Sequence, residues 1–258
     1  MLITSVLLAR VSPVNHFQKR AEKYDCSSEW VHDPVLINKI KDLVGAGPDE
    51  YLLDIGVGTG KISRAFKGEV SCLFGVDICM GMVKQARLFT DKIILSYAEK
   101  LPFKDNIFDV CVCRQALQFM RLEEVCSEMH RVLKPGGRLV LCHLTAYGEG
   151  DKKETFLIQK LRNPARKNFF LPGDFPEMLK KYKFSDLKSF AYITRESVNQ
   201  WINHGAICED DRVKIREAYR KASGDFKRIH KIQFSDTDIF DSMKMVLVRA
   251  IKKKSRLD

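Results

Sequence analysis

Apolar residues along this chain come in short, nearly unbroken runs, separated by stretches in which they return every third or fourth position. Residues 52–55, 72–76, 107–113 and 139–141 are such runs in its middle part. A strand buried on both faces reads this way, whereas a half-exposed strand alternates. Residues 17–25 and 34–44 read as helices, the second opened by Asp33-Pro34 and closed by Gly45-Ala46-Gly47-Pro48. Strands alternating with helices predict an α/β fold with a mostly parallel sheet and helices on both faces. Downstream, helices are expected near 153–167, 175–182 and 210–222, with a shorter one from Ser197 through Trp201. Strands are expected near 187–192 and 245–252.

The run at 52–55 leads straight into glycines: residues 52–61 read Leu-Leu-Asp-Ile-Gly-Val-Gly-Thr-Gly-Lys. Glycine at every second position lets the backbone turn sharply and approach a ligand with no Cβ in the way. The spacing is Gly-x-Gly-x-Gly, not the Gly-x-Gly-x-x-Gly of dinucleotide sites. It suits a ligand without pyrophosphate whose amino group Asp54 can hold; a bare strand-to-helix turn is the alternative. A second acid, Asp77, ends the next run, where a carboxylate grips ribose hydroxyls. Ile78 and Met82 follow as candidate covers for an adenine face, or as helix packing. Arg131-Val132-Leu133-Lys134-Pro135-Gly136-Gly137 writes a helix end and a turn before the fifth strand.

Over residues 14–146 these motifs resemble, in order and spacing, the class I S-adenosylmethionine-dependent methyltransferases, and most closely the ubiquinone/menaquinone-biosynthesis-like branch. The resemblance implies a Rossmann-like, seven-stranded sheet with a helical insertion between its last two strands, placed near 193–243. It implies S-adenosyl-L-methionine as cofactor and S-adenosyl-L-homocysteine as product. Asp54, Gly56, Gly58 and Gly60 would then hold the amino-acid part, Asp77 the ribose, Ile78 and Met82 the adenine faces, and Ala98 and Glu99 its edge. Many relatives carry an acid before the Ala-Glu pair; here that position is Tyr97. In this branch the N-terminal segment closes over the cofactor, which makes Tyr24, in the Phe-x6-Tyr-Asp pattern, a candidate for that cover. Arg114 would meet the cofactor carboxylate or an acidic acceptor. A helical cap (1–47), a cofactor-binding core (48–146) and a remainder (147–258) are the expected divisions.

Methyl transfer needs alignment, a dry cavity and, for some acceptors, a base. Residues at the carboxyl ends of strands are placed for this. His143 is the histidine with that position and is the candidate base, a strand-end histidine hydrogen-bonded to backbone being the alternative; Gln115, His143, Tyr147 and Trp201 are expected on the acceptor. Around Trp201 the insertion is expected to act as a lid; a core anchor is the alternative. The fold leaves the acceptor open.

Composition narrows the classes. At 258 residues with 45% hydrophobic and 30% charged content, the chain reads as a soluble globular protein with one large domain and an addition. No apolar run approaches a membrane span. Residues 1–9 are apolar without preceding basic residues, which argues against a secretory signal and suggests a leader or an early start codon. The eight cysteines include no Cys-x-x-Cys, so no metal is expected, and free thiols place the protein in the cytoplasm. Residues 151–258 hold 25 Lys and Arg against 15 Asp and Glu, whereas residues 1–150 hold 19 against 18. Such a basic half attracts anionic partners. A small-molecule acceptor, methylated on oxygen or carbon and with anionic character, is the leading expectation. RNA or protein methylation, and cofactor binding without catalysis, are the alternatives; no nucleic-acid-binding module is recognisable.

Overall fold

The computed structural model describes residues 12–254. The apolar stretch 1–9 and the end of the basic tail lie outside the described residues. The cap region contributes α1 (Pro13–Arg20) and α2 (Pro34–Val44). Both begin on proline, whose missing N–H costs nothing at a first helical position. Asp33 caps α2 by accepting from the Val35 and Leu36 amides at 2.9 and 3.2 Å, and Gly45 ends it at φ +52°. The alternating core follows as β1 (Tyr51–Ile55), α3 (Lys61–Phe66), β2 (Cys72–Asp77), α4 (Met80–Ala86), β3 (Lys92–Leu95), β4 (Phe108–Arg114), α5 (Leu122–Val132) and β5 (Leu133–Thr145). The remainder contains α6 (Lys152–Arg162), α7 (Asp174–Lys181), β6 (Phe184–Ser197), α8 (Val198–Ile202), α9 (Glu209–Lys221), α10 (Gly224–Ile229), β7 (Gln233–Phe234) and β8 (Ile239–Lys252).

The strands form one sheet in the order β3-β2-β1-β4-β5-β8-β6, with the two-residue β7 pairing β8. β1 to β5 are parallel, and β8 runs antiparallel between β5 and β6. Both sheet faces are covered, which explains the unbroken runs. Val110, Val112, Val140 and Cys142 join a core with α2, α3 and the helices after β6. Cys111, Cys113, Leu139 and Leu141 face the opposite way, toward α5 and α7. The chain winds outward from β1 through β2 to β3, then restarts at β4 on the other side of β1. That reversal opens a crevice at the carboxyl ends of β1 and β4, the ligand position of open α/β sheets.

Five elements depart from the expected bounds: α1 spans Pro13–Arg20 rather than 17–25, α6 ends at Arg162 rather than 167, and β5, β6 and β8 differ as follows. Lys134-Pro135-Gly136-Gly137 does not separate helix from strand; β5 begins at Leu133 and absorbs these residues as a bulge, with Gly136 at φ +81°. β6 continues to Ser197 and β8 starts at Ile239, so Ile193 pairs with Lys244 and the helical insertion spans 198–238, not 193–243. Buried polar residues (Thr194, Glu196, Asp241 and Ser242) hide these strand ends from a hydrophobic pattern. The insertion packs Val198, Trp201, Ile202, Ile215, Tyr219 and Phe226 into the same core as α2.

The insertion is fastened by a buried cluster. The His230 ring nitrogens lie 2.9 Å from carboxylate oxygens, Nδ1 from Asp241 and Nε2 from Asp151, and Asp151 also accepts the Tyr147 and Gly148 amides at 2.9 and 2.8 Å. Burial pulls the imidazole down, but bonding to Asp241 and Asp151 outweighs it and the net shift is upward from 6.5. Burial likewise raises Asp151, and the Tyr147 amide and His230 overcome it, leaving the carboxyl below 3.8. A raised imidazole contributes stability in full below its unfolded value and loses it as pH rises through the folded one; the depressed carboxyl loses its contribution as pH falls. The cluster therefore holds best between those two ordinary values. His230→Leu, which leaves two carboxylates buried without their partner, is expected to cost about 3–5 kcal/mol. Urea unfolding should show a larger deficit at pH 6 than at pH 8.5; an equal deficit at both contradicts this assignment.

Candidate active site

A cavity of about 400 Å³ occupies the crevice. Its floor is the glycine loop. The Gly56 and Val57 amides both donate to the Val76 carbonyl, at 2.8 and 3.0 Å, which bends the backbone out of β1. Gly56, Gly58 and Gly60 all have positive φ, at +68°, +57° and +83°. The three serve different ends. A Cβ on Gly56 would lie 2.4 Å from the Ala116 Cβ, and one on Gly60 would lie 3.0 Å from the Ala86 Cα. A Cβ on Gly58 would meet nothing closer than the Gly56 carbonyl at 4.0 Å and would enter the cavity instead. Gly56 and Gly60 are thus needed by the fold, and Gly58 leaves space for a ligand.

Asp77 lines the cavity at the tip of β2, its oxygens accepting the Gly58 amide at 3.0 Å and the Cys79 amide at 2.9 Å. Burial raises its pKa despite these bonds. Ile78, Met82, Ala98 and Glu99 line the same cavity, and Glu99 accepts the Arg121 amide at 3.0 Å. Arg114 and Gln115 close it at the end of β4. Gln115 sits at φ +54°, strained for a side chain of its kind, and its Nε2 has no partner among the described residues. Tyr97, in the position where many relatives have an acid, also lines the cavity.

The N-terminal segment covers this space. Phe17 and Tyr24 line the cavity; neighbouring residues fasten the segment to the core. Gln18 accepts from the Gly81 amide at 3.1 Å, and Gln85 donates to the Ala21 carbonyl at 2.7 Å. Asp25 accepts the Thr59 hydroxyl at 2.6 Å and pairs with Lys61 at 2.7 Å, which ties the cover to the glycine loop itself. Sequence reading missed Phe17, Phe119 and Met120 in this wall, because single apolar residues in a helix or turn do not announce a pocket.

Five expected site residues lie elsewhere. Asp54 is 2% exposed beneath the loop, where it accepts the Ser63 hydroxyl at 2.8 Å; burial pushes its pKa up to about 6. Gly60 turns the chain but does not line the cavity. His143 is fully buried behind the site, stacked on Phe175 with centroids 5.5 Å apart, with Nδ1 3.2 Å from Gln118 Oε1. Burial and Arg166 lower its pKa to about 3, so it is neutral at physiological pH, and it does not line the cavity. It braces Gln118, whose Nε2 donates to the Gln115 carbonyl at 2.8 Å. Tyr147 points away and donates to the Ser242 carbonyl at 2.7 Å. Trp201 is a core residue, 2% exposed, that lines a smaller neighbouring chamber. Period and strand-end position told nothing of these orientations. Among the described residues, no group of three or more His, Cys, Asp or Glu side chains is arranged to hold a metal ion, and no helix is long and apolar enough to cross a membrane.

This sheet order, glycine loop and acid-tipped second strand define the class I methyltransferase fold. Residues 53–141 match the methyltransferase domain family. The chain is 31% identical over 209 residues to the uncharacterized protein MJ1123 of Methanocaldococcus jannaschii, covering 80% of this chain and 94% of that one. It is 37% identical over 116 residues to the ubiquinone/menaquinone biosynthesis C-methyltransferase UbiE of Paraburkholderia xenovorans, covering 41% of this chain and 48% of UbiE. The crystal structure of YcgJ from Bacillus subtilis superposes with a TM-score of 0.78 at 23% identity, covering 85% of this chain and 98% of that one. The chain belongs to the S-adenosylmethionine-dependent methyltransferases, and over its core it is similar to the UbiE-type enzymes.

Proposed function

We propose that this methyltransferase acts on a small-molecule acceptor, on oxygen or carbon, with S-adenosylmethionine held in the main cavity. The observation that carries the reading is the cover: Phe17 and Tyr24 roof the cavity and Asp25 pins that roof to the glycine loop, which suits a small acceptor better than RNA or a folded protein. The lining fits the cofactor chemically. Gly58 leaves the room that a Cβ would fill, Asp77 offers a carboxylate to ribose hydroxyls, and Ile78 and Met82 offer apolar walls to adenine. Tyr24, Gly56, Ala98, Glu99 and Arg114 complete the proposed cofactor site. The cofactor, when bound, supplies an electrophilic methyl group on sulfur. The chain's own part is to align the acceptor and exclude water, with Gln115 the proposed acceptor contact and no base assigned to His143.

Two measurements test this. Calorimetry should detect S-adenosylhomocysteine binding, and methyl transfer should be found with the small-molecule fraction of a cell extract rather than its RNA. Transfer to RNA alone overturns the acceptor assignment. Asp25→Ala, which unfastens the cover, is expected to speed release of S-adenosylhomocysteine several-fold in stopped-flow chase experiments with little change in sheet stability. An unchanged release rate shows that the cover does not gate the site.

A further inference from the structure

Beside the main cavity lies a chamber of about 30 Å³, separated from it by residues that line both: Phe17, Tyr24, Gln115 and Phe119. Its walls include three guanidinium groups, Arg20, Arg162 and Arg166, which are 3%, 8% and 5% exposed. No carboxylate lines it among the described residues. Arg20 has one long hydrogen bond, to the Ser27 hydroxyl at 3.5 Å, and lies over the Phe17 and Tyr24 rings at 5.4 and 5.0 Å, while its Nε has no hydrogen-bond partner. Arg166 donates to the Asn168 carbonyl at 3.2 Å, and its Nε is likewise unpaired. Arg162 donates to the Trp201 carbonyl at 2.9 Å and stacks on that indole. The Glu196 carboxylate acts on Arg162 from a distance but is itself taken up by the Glu29 and Trp30 amides and the Thr194 hydroxyl. Burial lowers the pKa of Arg20 to about 10 and that of Arg166 to about 9, a sign of cations short of counter-charge. The unpaired side-chain atoms of Trp30, Gln115, Asn163 and Trp201 in these walls are N–H donors, and Gln159 Oε1 is the one unpaired acceptor beside them among the described residues.

Buried cations without partners are strongly unfavourable, and proteins keep them where a ligand supplies the charge. We propose that this chamber is an oxyanion subsite that anchors the acidic head of the methyl acceptor, its reacting end passing Gln115 into the main cavity. The inference deepens the small-molecule reading above and rests on it. A water-sized group needs about 10–15 Å³, so 30 Å³ takes the two oxygens of a carboxylate and little more. The three arginines offer charge-assisted, forked bonding to such a head.

The test uses the full chain saturated with S-adenosylhomocysteine, titrated with sodium acetate or inorganic phosphate against chloride at constant ionic strength. The unfolding temperature should rise saturably with acetate, which marks a carboxylate acceptor; a rise with phosphate alone, too large for the chamber, overturns the subsite. Arg166→Met and Arg20→Met should each weaken that response at least tenfold while S-adenosylhomocysteine affinity changes less than twofold. Both variants should also unfold at a higher temperature than the parent in the absence of oxyanion, an outcome a merely structural arginine does not produce. Absence of any response beyond chloride, or an equal response in parent and variants, overturns the subsite and leaves the methyltransferase reading standing. Failure of S-adenosylhomocysteine to bind the parent chain would strike that reading instead.

Discussion

Asp77→Ala is expected to weaken S-adenosylmethionine binding at least tenfold while the sheet stays folded. Its carboxylate is the acid at the tip of β2 that lines the cavity, and hydrogen bonds to a charged group contribute about 1.5–3 kcal/mol each. The same oxygens hold the Gly58 and Cys79 amides, so the substitution also loosens the loop that frames the ligand. Because burial already raises this carboxyl, affinity should fall as the solution is acidified through a value above the ordinary 3.8. Calorimetry at neutral pH, with urea unfolding to check the fold, decides the matter. Unchanged affinity shows that the ribose is held elsewhere.

The glycine loop gives a second large effect, because two of its positions separate folding from binding. Gly56→Ala forces φ +68° on a residue with a Cβ and drives that Cβ to 2.4 Å from Ala116. Left-handed strain of about 1–2 kcal/mol and overpacking of about 1–3 kcal/mol together remove a large share of a typical stability of about 5–15 kcal/mol. Gly58→Ala carries the strain of φ +57° without the clash, since nothing lies closer than 4.0 Å. Gly56→Ala should therefore lose stability by about 2–5 kcal/mol. Gly58→Ala should lose only about 1–2 kcal/mol yet bind S-adenosylhomocysteine at least tenfold more weakly. Wild-type affinity in Gly58→Ala would show that the ligand does not approach this backbone.

The parallel core was legible in the sequence because its strands are buried on both faces and its helices carry recognisable punctuation. Asp33-Pro34 and Gly45 bound α2, and Ser197, whose hydroxyl accepts the Gln200 amide at 3.1 Å, caps α8 as its residue type suggests. The ends of β6 and β8 were illegible, because Glu196 and Asp241 are buried by virtue of hydrogen bonds that no hydropathy pattern registers. The site divided in the same way. Asp77, Gly58 and the residues around Ala98 sit at positions set by local chain geometry, and they line the cavity. His143, Tyr147 and Trp201 depended on which way a side chain turns, and tertiary packing turned them elsewhere. Arg162 and Arg166 entered the sequence analysis only within the charge count of residues 151–258, because arginine so seldom lies buried that nothing in the sequence singles them out.

β8 lies between β5 and β6, although β6 precedes it in the chain. During synthesis β6 therefore emerges with no strand to pair with until the helices at 198–238 and then β8 have followed. In the finished sheet β6 is still an edge strand, with Phe190 and Ile193 exposed; through that interval both of its edges are open. Long-range closure of this kind is slow and leaves nascent chains open to edge-to-edge association. Ribosome-bound chains stopped before Ile239 should thus form the β1–β5 core while remaining dependent on chaperones, and completion of β8 is the step that releases them.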